Sequence, residues 1–116
     1  MSFFKNVFST SATDYLNEGE AYLEKGLNYD AIESLDEAVR LDPKNAEAHL
    51  KRGIAHLEEE EYDEALADFN EAIQLEPTYA EAYLCRGKTH FVLGDSAGGK
   101  ADQEQALRLD PTLGKV

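Results

Sequence analysis

The side chains in this sequence that could take part in catalysis or bind a metal are two histidines in one register, a cysteine and a run of acidic residues. His56 and His90 occupy equivalent positions in two copies of a repeat, and Tyr22 occupies this position in the copy before them. This register predicts packing between helices, because no Cys or acidic cluster that could complete a metal site recurs with it. Cys85 stands alone and is expected to be a small packing residue rather than a nucleophile. The run from Glu58 to Glu61 is expected to be a solvated turn, where pKa shifts are small.

Catalytic motifs are missing from the sequence. It holds no Ser-His-Asp order, no glycine-rich phosphate loop and no HExxH motif. One cysteine cannot form a disulfide within the chain. The sequence therefore predicts a protein that is not an enzyme and that needs no cofactor or metal.

The charge of the chain narrows the choice of partner. The 116 residues include 24 acidic and 11 basic side chains, which gives a net charge of −13. Nucleic acids and anionic membrane surfaces repel such a protein, whereas a basic or amphipathic protein segment complements it. Solubility alone is the other explanation for the acidic excess.

No feature of the sequence directs the chain into or across a membrane. There is no apolar stretch of about 18 residues that would span a bilayer. The first eight residues are too short and too interrupted to form the apolar region of a signal peptide. A cytoplasmic location is therefore expected.

A regular period organises the chain into three blocks of equal length, which are residues 12–45, 46–79 and 80–113. Small residues recur in register, and each block ends on leucine, an acidic residue and proline. The recurring small residues are Gly19, Gly53 and Gly87, then Ala31, Ala65 and Gly99, then Ala38, Ala72 and Ala106. A repeat of this length is one supersecondary unit that must stack on its neighbours to bury its apolar face. The blocks therefore predict a single domain over residues 12–113, followed by a short tail at 114–116.

Each block contains two helices by its apolar spacing. The predicted helices cover residues 13–26, 29–41, 46–59, 62–75, 80–93 and 96–109. The second helix of each block must stop before its proline, because the residue before proline is disfavoured in the α region. Small residues such as Gly53 and Ala65 let the two helices of a block approach closely. The fold class is all-α.

Small, aromatic and proline residues in the second block resemble the signature of the tetratricopeptide repeat family, at Gly53, Ala65, Phe69, Ala72 and Pro77. The first block fits this signature with Leu35 at the aromatic position. The resemblance implies a right-handed α-solenoid of three helix-turn-helix repeats, with the first helix of each repeat lining a concave groove. It also implies a protein–protein interaction scaffold, and it leaves the partner open.

The third block departs from the family pattern. Gly98 and Gly99 open its second helix, although each glycine costs about 1 kcal/mol relative to alanine inside a helix. Lys100 and Gln103 replace residues that are apolar in the other blocks. Polar residues there fit a terminal repeat that faces water. The alternative is that another subunit covers this surface.

In the family, inward-facing residues of each first helix contact the ligand. By this resemblance the groove is lined by Leu16, Glu20, Leu23, Glu47, Leu50, Ile54, Leu57, Glu81, Leu84, Lys88 and Phe91, with Thr13, Glu24, Glu58 and Val92 beside them. Some of these side chains are expected to pack neighbouring first helices together, and the rest to stay open. The open part would present apolar residues with an acidic border, which suits a segment with apolar anchors and Lys or Arg flanks.

One class of the family holds the acidic C-terminal tails of heat-shock chaperones through a clamp of Lys, Asn and Arg. The matching positions here are Leu16, Glu20, Lys51, Glu81 and Cys85. Only one of the five is basic and two are acidic, so the sequence argues against such a clamp.

Two arginines are predicted to form ion pairs inside their repeats. Arg52 precedes Asp68 by the same interval that separates Arg86 from Asp102, and in the first block both positions change together to Glu18 and Ser34. The alternative is a pairing with the preceding repeat, which would join Arg86 to Asp68 and leave Arg52 facing Ser34.

The first eleven residues lie outside the repeats. Phe3, Phe4, Val7 and Phe8 form an apolar set that is expected either to cap the first helix pair or to dock on a neighbouring copy and drive self-association. The following residues, Ser11 to Asp14, resemble a helix capping box.

Three functions remain compatible with these observations. The leading interpretation is an adaptor that binds a peptide or an amphipathic segment in the groove. A small acidic chaperone of the secretion type, which would sequester an apolar client segment, is the first alternative. A structural module that self-associates by stacking repeat on repeat is the second.

Overall fold

The computed structural model describes residues 10–114 and contains six α-helices in this range. They are α1 (Ala12–Glu24), α2 (Asn28–Leu41), α3 (Ala46–Glu58), α4 (Tyr62–Leu75), α5 (Ala80–Val92) and α6 (Ser96–Leu109), followed by a 3₁₀ turn at Pro111–Gly114. No strand occurs in the described part of the chain. Each pair of helices is one repeat: α1 with α2, α3 with α4, and α5 with α6. The predicted all-α solenoid of six helices is confirmed.

Side-chain caps fix the start of three helices. Ser11 and Asp14 form the predicted capping box, with the Asp14 amide donating to Ser11 Oγ at 3.1 Å and the Ser11 amide to Asp14 Oδ2 at 3.2 Å. The Asn45 side chain accepts from two amides at the start of α3. Asp95 accepts from the Gly98 amide at 2.9 Å and caps α6. These contacts satisfy amides that have no partner inside the helix.

A residue in the left-handed region ends the turn inside each repeat. Gly26 has φ 75°, Glu60 has φ 61° and Gly94 has φ 88°. The three residues occupy equivalent positions in their repeats. Glycine adopts this conformation without steric cost, whereas Glu60 carries a Cβ that disfavours it. The first helix therefore ends at Glu24, two residues before the predicted end, because Gly26 reverses the chain.

Two glycines allow the helices of the first two repeats to pack tightly. A Cβ placed on Gly19 would lie 2.6 Å from Leu35 Cγ, and one on Gly53 would lie 2.6 Å from Phe69 Cε1. No larger residue fits at either position. This close approach buries Leu35 and Phe69 completely.

The hydrophobic core consists of two clusters, and each spans the junction between consecutive repeats. The first contains Leu16, Ala31, Leu35, Ala38, Ala48 and Ala55, and the second contains Leu50, Ala65, Phe69, Ala72, Ala82 and Cys85. Each cluster thus combines the second helix of one repeat with small residues from the first helix of the next. The repeats stack into a body of 49 × 26 × 25 Å, an elongated shape that nearest-neighbour stacking predicts.

The third repeat packs differently from the other two. The Phe91 ring lies over Gly99, where an added Cβ would come within 2.7 Å of the ring. This contact explains the glycine that the sequence places in α6. Lys100 and Gln103 are exposed, so the polar face that was predicted for a terminal repeat is present.

Two further expectations concern the N-terminal segment and a membrane-spanning helix. The apolar set Phe3, Phe4, Val7 and Phe8 lies outside the described residues. Among residues 10–114, no helix combines the length and the apolar composition needed to cross a bilayer.

Candidate functional site

The residues that the resemblance assigned to the groove lie on the adjacent helices α1, α3 and α5. We call the solvent-facing part of these three helices the first-helix surface. Lys51 Nζ on α3 lies 3.5 Å from Glu20 Oε2 on α1, which shows that the two helices present their side chains together. The assigned residues fall into three groups: Leu16 and Leu50 are buried, Glu20, Leu23, Ile54, Leu57 and Leu84 are half-buried, and Glu47, Glu81, Lys88 and Phe91 are exposed.

Leu16 and Leu50 belong to the part of the assigned set that packs between the helices. Leu50 has no exposed surface and packs in the second core cluster, and Leu16 is 7% exposed in the first. In this arrangement neither side chain reaches a ligand. Both support the surface from beneath, because the small residues of the adjacent first helix close over them.

Three consecutive apolar side chains are exposed at the end of α5. Phe91 is 41% exposed, Val92 58% and Leu93 47%. The positions of Val92 and Leu93 hold charged residues in the other two repeats, Glu24 with Lys25 and Glu58 with Glu59. Sequence reasoning did not assign Leu93, although this change from charged to apolar residues was a readable signal. An exposed apolar cluster of this kind is typical of an interaction site.

Carboxylates surround the apolar part of the first-helix surface. Glu24, Glu47, Glu58 and Glu81 are all exposed. Burial, together with the nearby charges of Glu47 and Glu81, raises the pKa of Tyr79 far above its usual value. Glu47 and Glu81 therefore lie close enough to Tyr79 to disfavour a further negative charge there.

Cys85 is a core residue. It is 8% exposed, and burial raises the pKa of its thiol to about 11. The thiol is therefore protonated at neutral pH, whereas nucleophilic cysteines need a thiolate. This environment agrees with the expectation that Cys85 packs.

The predicted arginine pairs are present in both repeats. Arg52 donates to Asp68 at 3.0 Å through Nε and 2.8 Å through Nη2, and Arg86 donates to Asp102 at 2.8 and 2.7 Å. The prediction that each arginine binds an aspartate of its own repeat is confirmed.

The first repeat replaces this ion pair with a single hydrogen bond. Ser34 Oγ donates to Glu18 Oε1 at 2.8 Å. The two positions therefore still link the helices of that repeat, which explains why they change together in the sequence.

Each arginine also makes a contact that was not predicted. Arg52 Nη1 lies 3.0 Å from Asp36 Oδ1, and Arg86 Nη1 lies 3.0 Å from Asn70 Oδ1. Asp36 and Asn70 belong to the repeat before the arginine. Each guanidinium thus joins the two helices of its own repeat to the second helix of the preceding one.

Histidines extend the polar contacts around Asp68. His49 Nδ1 lies 3.7 Å and His56 Nε2 4.0 Å from its carboxylate, and His49 Nε2 lies 2.9 Å from the Pro43 carbonyl oxygen. The Asp68 carboxylate raises the pKa of His49 despite the burial of the ring. Burial is the largest single influence on Asp68 itself, but its cationic neighbours together lower its pKa.

The repeated histidines pack as the register indicated. His56 Nδ1 lies 2.8 Å from Glu61 Oε1, and His90 lies between Asp95 and Asp102. Within residues 10–114 no group of three or more His, Cys, Asp or Glu side chains is arranged to hold a metal ion. The described part of the chain also contains no enclosed pocket.

Comparison with known proteins identifies the family of the chain. The sequence model of the tetratricopeptide repeat matches residues 16–80 and 55–113. No curated protein sequence gives a match. The second tetratricopeptide domain of Spaghetti (RPAP3), bound to the HSP90 peptide SRMEEVD, is similar with a TM-score of 0.84 and 30% identity, over 87% of this chain and 94% of that one.

Two further solved structures show the same architecture. The crystal structure of MamA has a TM-score of 0.89 and 29% identity over 95% of this chain and 64% of that one. The Arabidopsis OM64 tetratricopeptide domain has a TM-score of 0.86 and 26% identity over 88% of this chain and 84% of that one. On its matched sequence, its paired helices and its stacked repeats, this chain belongs to the tetratricopeptide repeat family.

Proposed function

We propose that this protein is a non-catalytic scaffold that binds a segment of another protein along the first-helix surface. The exposed apolar residues Phe91 and Val92, bordered by carboxylates, are the observation that carries the proposal. The Spaghetti (RPAP3) domain, which is similar in structure, binds a peptide. Peptide binding by a similar fold supports the same type of function here.

The chemistry of the surface favours a particular kind of segment. Half-buried Ile54 and Leu57 lie on α3, and half-buried Leu84 lies with the exposed Phe91 on the adjacent α5, so an apolar anchor has a place to pack. Exposed carboxylates around them complement Lys or Arg on either side of the anchor. We therefore infer a partner segment with apolar anchors and basic flanks.

A clamp for a terminal carboxylate does not fit this surface. Of the five clamp positions, Leu16 and Cys85 are buried, and Glu20 and Glu81 are negative. The remaining position, Lys51, lies against Glu20, so its charge is already partly neutralised. An acidic tail such as SRMEEVD would meet more negative charge than positive.

The proposal is tested by titrating the full chain with two fluorescent peptides, SRMEEVD and a basic amphipathic helix with one Leu face and one Lys face. We expect saturable binding of the basic peptide only, and a Kd that rises with salt because the Debye length falls to about 8 Å at physiological ionic strength. Preferential binding of SRMEEVD would overturn the inferred chemistry.

Charge-reversal variants locate the binding surface. Glu47→Lys combined with Glu81→Lys should weaken binding of the basic peptide by about tenfold or more. Glu33→Lys combined with Glu64→Lys, which changes two exposed residues on the second helices of the first and second repeats, is the matched control. Equal weakening by both would show that net charge, and not the first-helix surface, determines binding.

A further inference from the structure

The first repeat packs on the second through its C-terminal face, and the second packs on the third in the same way. The third repeat has a corresponding C-terminal face. At the first junction, Ala48 and Ala55 of α3 pack in one cluster with Leu35 of α2. At the second, Ala82 of α5 packs in one cluster with Phe69 of α4, and Thr89 stands where Ala55 stood and is fully buried. Each established junction thus receives a helix with small residues seven positions apart.

An arginine fixes the position of the arriving helix at both junctions. It lies four positions after the first small residue, at Arg52 on α3 and Arg86 on α5, and it reaches Asp36 and Asn70 of the preceding repeat at 3.0 Å. The two acceptors occupy equivalent positions in their repeats. The same position in the third repeat is Glu104 on α6.

Glu104 can accept a hydrogen bond as Asp36 and Asn70 do, but no arginine of residues 10–114 contacts it. Its side chain is exposed, and it makes no hydrogen bond or ion pair with any residue between 10 and 114. Arg108, one turn further along α6, instead donates to Gln105. The carboxylate therefore remains available to a cation that arrives from outside the repeat.

Apolar groups accompany Glu104 on this face. Leu84 and Leu107 are half-buried and Phe91 is exposed, at positions whose equivalents in the second repeat, Leu50, Ile73 and Leu57, pack in the second core cluster. The polar side chains of Lys100 and Gln103 reduce the apolar area of this face. The face therefore suits a reversible contact better than a permanent one.

We propose that the C-terminal face binds an α-helix of a partner protein that carries an arginine toward Glu104, with small residues four positions before and three positions after it. The three elements of this pattern are those that α3 and α5 present at the two established junctions. This face shares Leu84 and Phe91 with the first-helix surface, whereas Glu104 and Leu107 on α6 belong to it alone.

A second copy of this chain does not meet the requirement. The first helix of such a copy would present α1, which carries Asp14 and Glu18 where α3 carries Ala48 and Arg52. Glu18 would then oppose Glu104, and like charges at close range are repulsive. Stacking of a second copy through α1 is therefore disfavoured.

The probe is a peptide with the sequence of residues 46–79, titrated into isotope-labelled full-length chain and followed by NMR. We expect shifts of the amides of Phe91, Glu104 and Leu107. Glu104→Lys in the protein should raise the Kd by about tenfold or more, since it turns an attractive contact into a repulsive one. Glu33→Lys, a matched change far from the C-terminal face, should leave the Kd unchanged.

A charge swap makes the test specific. The peptide with R52E should bind poorly to the wild-type chain and recover its affinity for the Glu104→Lys variant. Absence of peptide binding at millimolar concentration, shifts that leave the amides of Glu104 and Leu107 unchanged, or a Kd insensitive to Glu104→Lys would each overturn the proposal.

Discussion

In the ion pair between Arg52 and Asp68, the aspartate is more deeply buried than the arginine. Removing the arginine should therefore destabilise the fold more than removing the aspartate. The Asp68 side chain is 6% exposed, whereas Arg52 is 22% exposed and also contacts Asp36. Deleting the arginine therefore leaves a buried carboxylate. Deleting the aspartate leaves a guanidinium that keeps Asp36 and reaches water.

The magnitudes follow from this asymmetry. Stranding one member of a buried pair costs about 3–5 kcal/mol, but His49 and His56 lie within 4.0 Å of Asp68 and offset part of that cost. We expect Arg52→Leu to reduce the free energy of unfolding by about 2 kcal/mol. Asp68→Leu should reduce it by about 1 kcal/mol, and the coupling energy of the pair should be about 1.5 kcal/mol.

Urea denaturation of the wild type, both single variants and the double variant, monitored by circular dichroism, gives the coupling. The exposed pair of Arg40 and Glu37, with Nη2 and Oε1 2.8 Å apart, is a matched control whose coupling should be close to zero, because water screens both charges. A coupling between Arg52 and Asp68 no larger than the control would refute the reasoning. So would a greater loss from Asp68→Leu than from Arg52→Leu.

Three shorter predictions concern the turn, the core and pH. Glu60→Gly should stabilise the fold by about 1 kcal/mol because it relieves the left-handed conformation, while Glu60→Ala, which removes the same charge, should not. Leu50→Glu should lower the free energy of unfolding by more than about 3 kcal/mol, since it buries an unpaired charge, whereas Leu84→Glu should cost about 1 kcal/mol; urea titrations that show equal losses would contradict the difference in burial. Because Asp68 raises the pKa of His49, the charged imidazole stabilises the fold below its unfolded pKa of about 6.5, and this contribution is lost as pH rises through the folded pKa. His49→Gln should therefore flatten the decline in unfolding free energy between about pH 6 and 8, and an unchanged slope would show that His49 does not titrate in this way.

Most of the fold was predictable from the sequence because the repeat supplies the same signal three times. The prolines and the apolar spacing placed every helix to within about two residues. The arginine pairs were predictable for a different reason: in the first repeat Glu18 and Ser34 change together, which indicates contact between their positions.

The division of the first helices between core and surface was not predictable. Leu50 and Leu84 occupy the same position in their repeats, yet only Leu50 is fully buried. The difference depends on whether another repeat follows and covers the side chain, and periodicity within a repeat carries no information about that. The contacts of Arg52 with Asp36 and of Arg86 with Asn70 were missed because their acceptors differ, so no single pairing rule revealed them.

Neither core cluster contains a residue of α6. Leu35, Leu50 and Phe69, the largest fully buried apolar side chains, all belong to the first two repeats, whereas the buried residues of α6 are Gly99, Asp102 and Ala106. In a linear stack, stability is a sum of repeat and junction contributions. We therefore expect α6 to be released at a lower free energy than the helices of the second repeat, so that its amide hydrogens exchange with solvent while the second repeat stays folded.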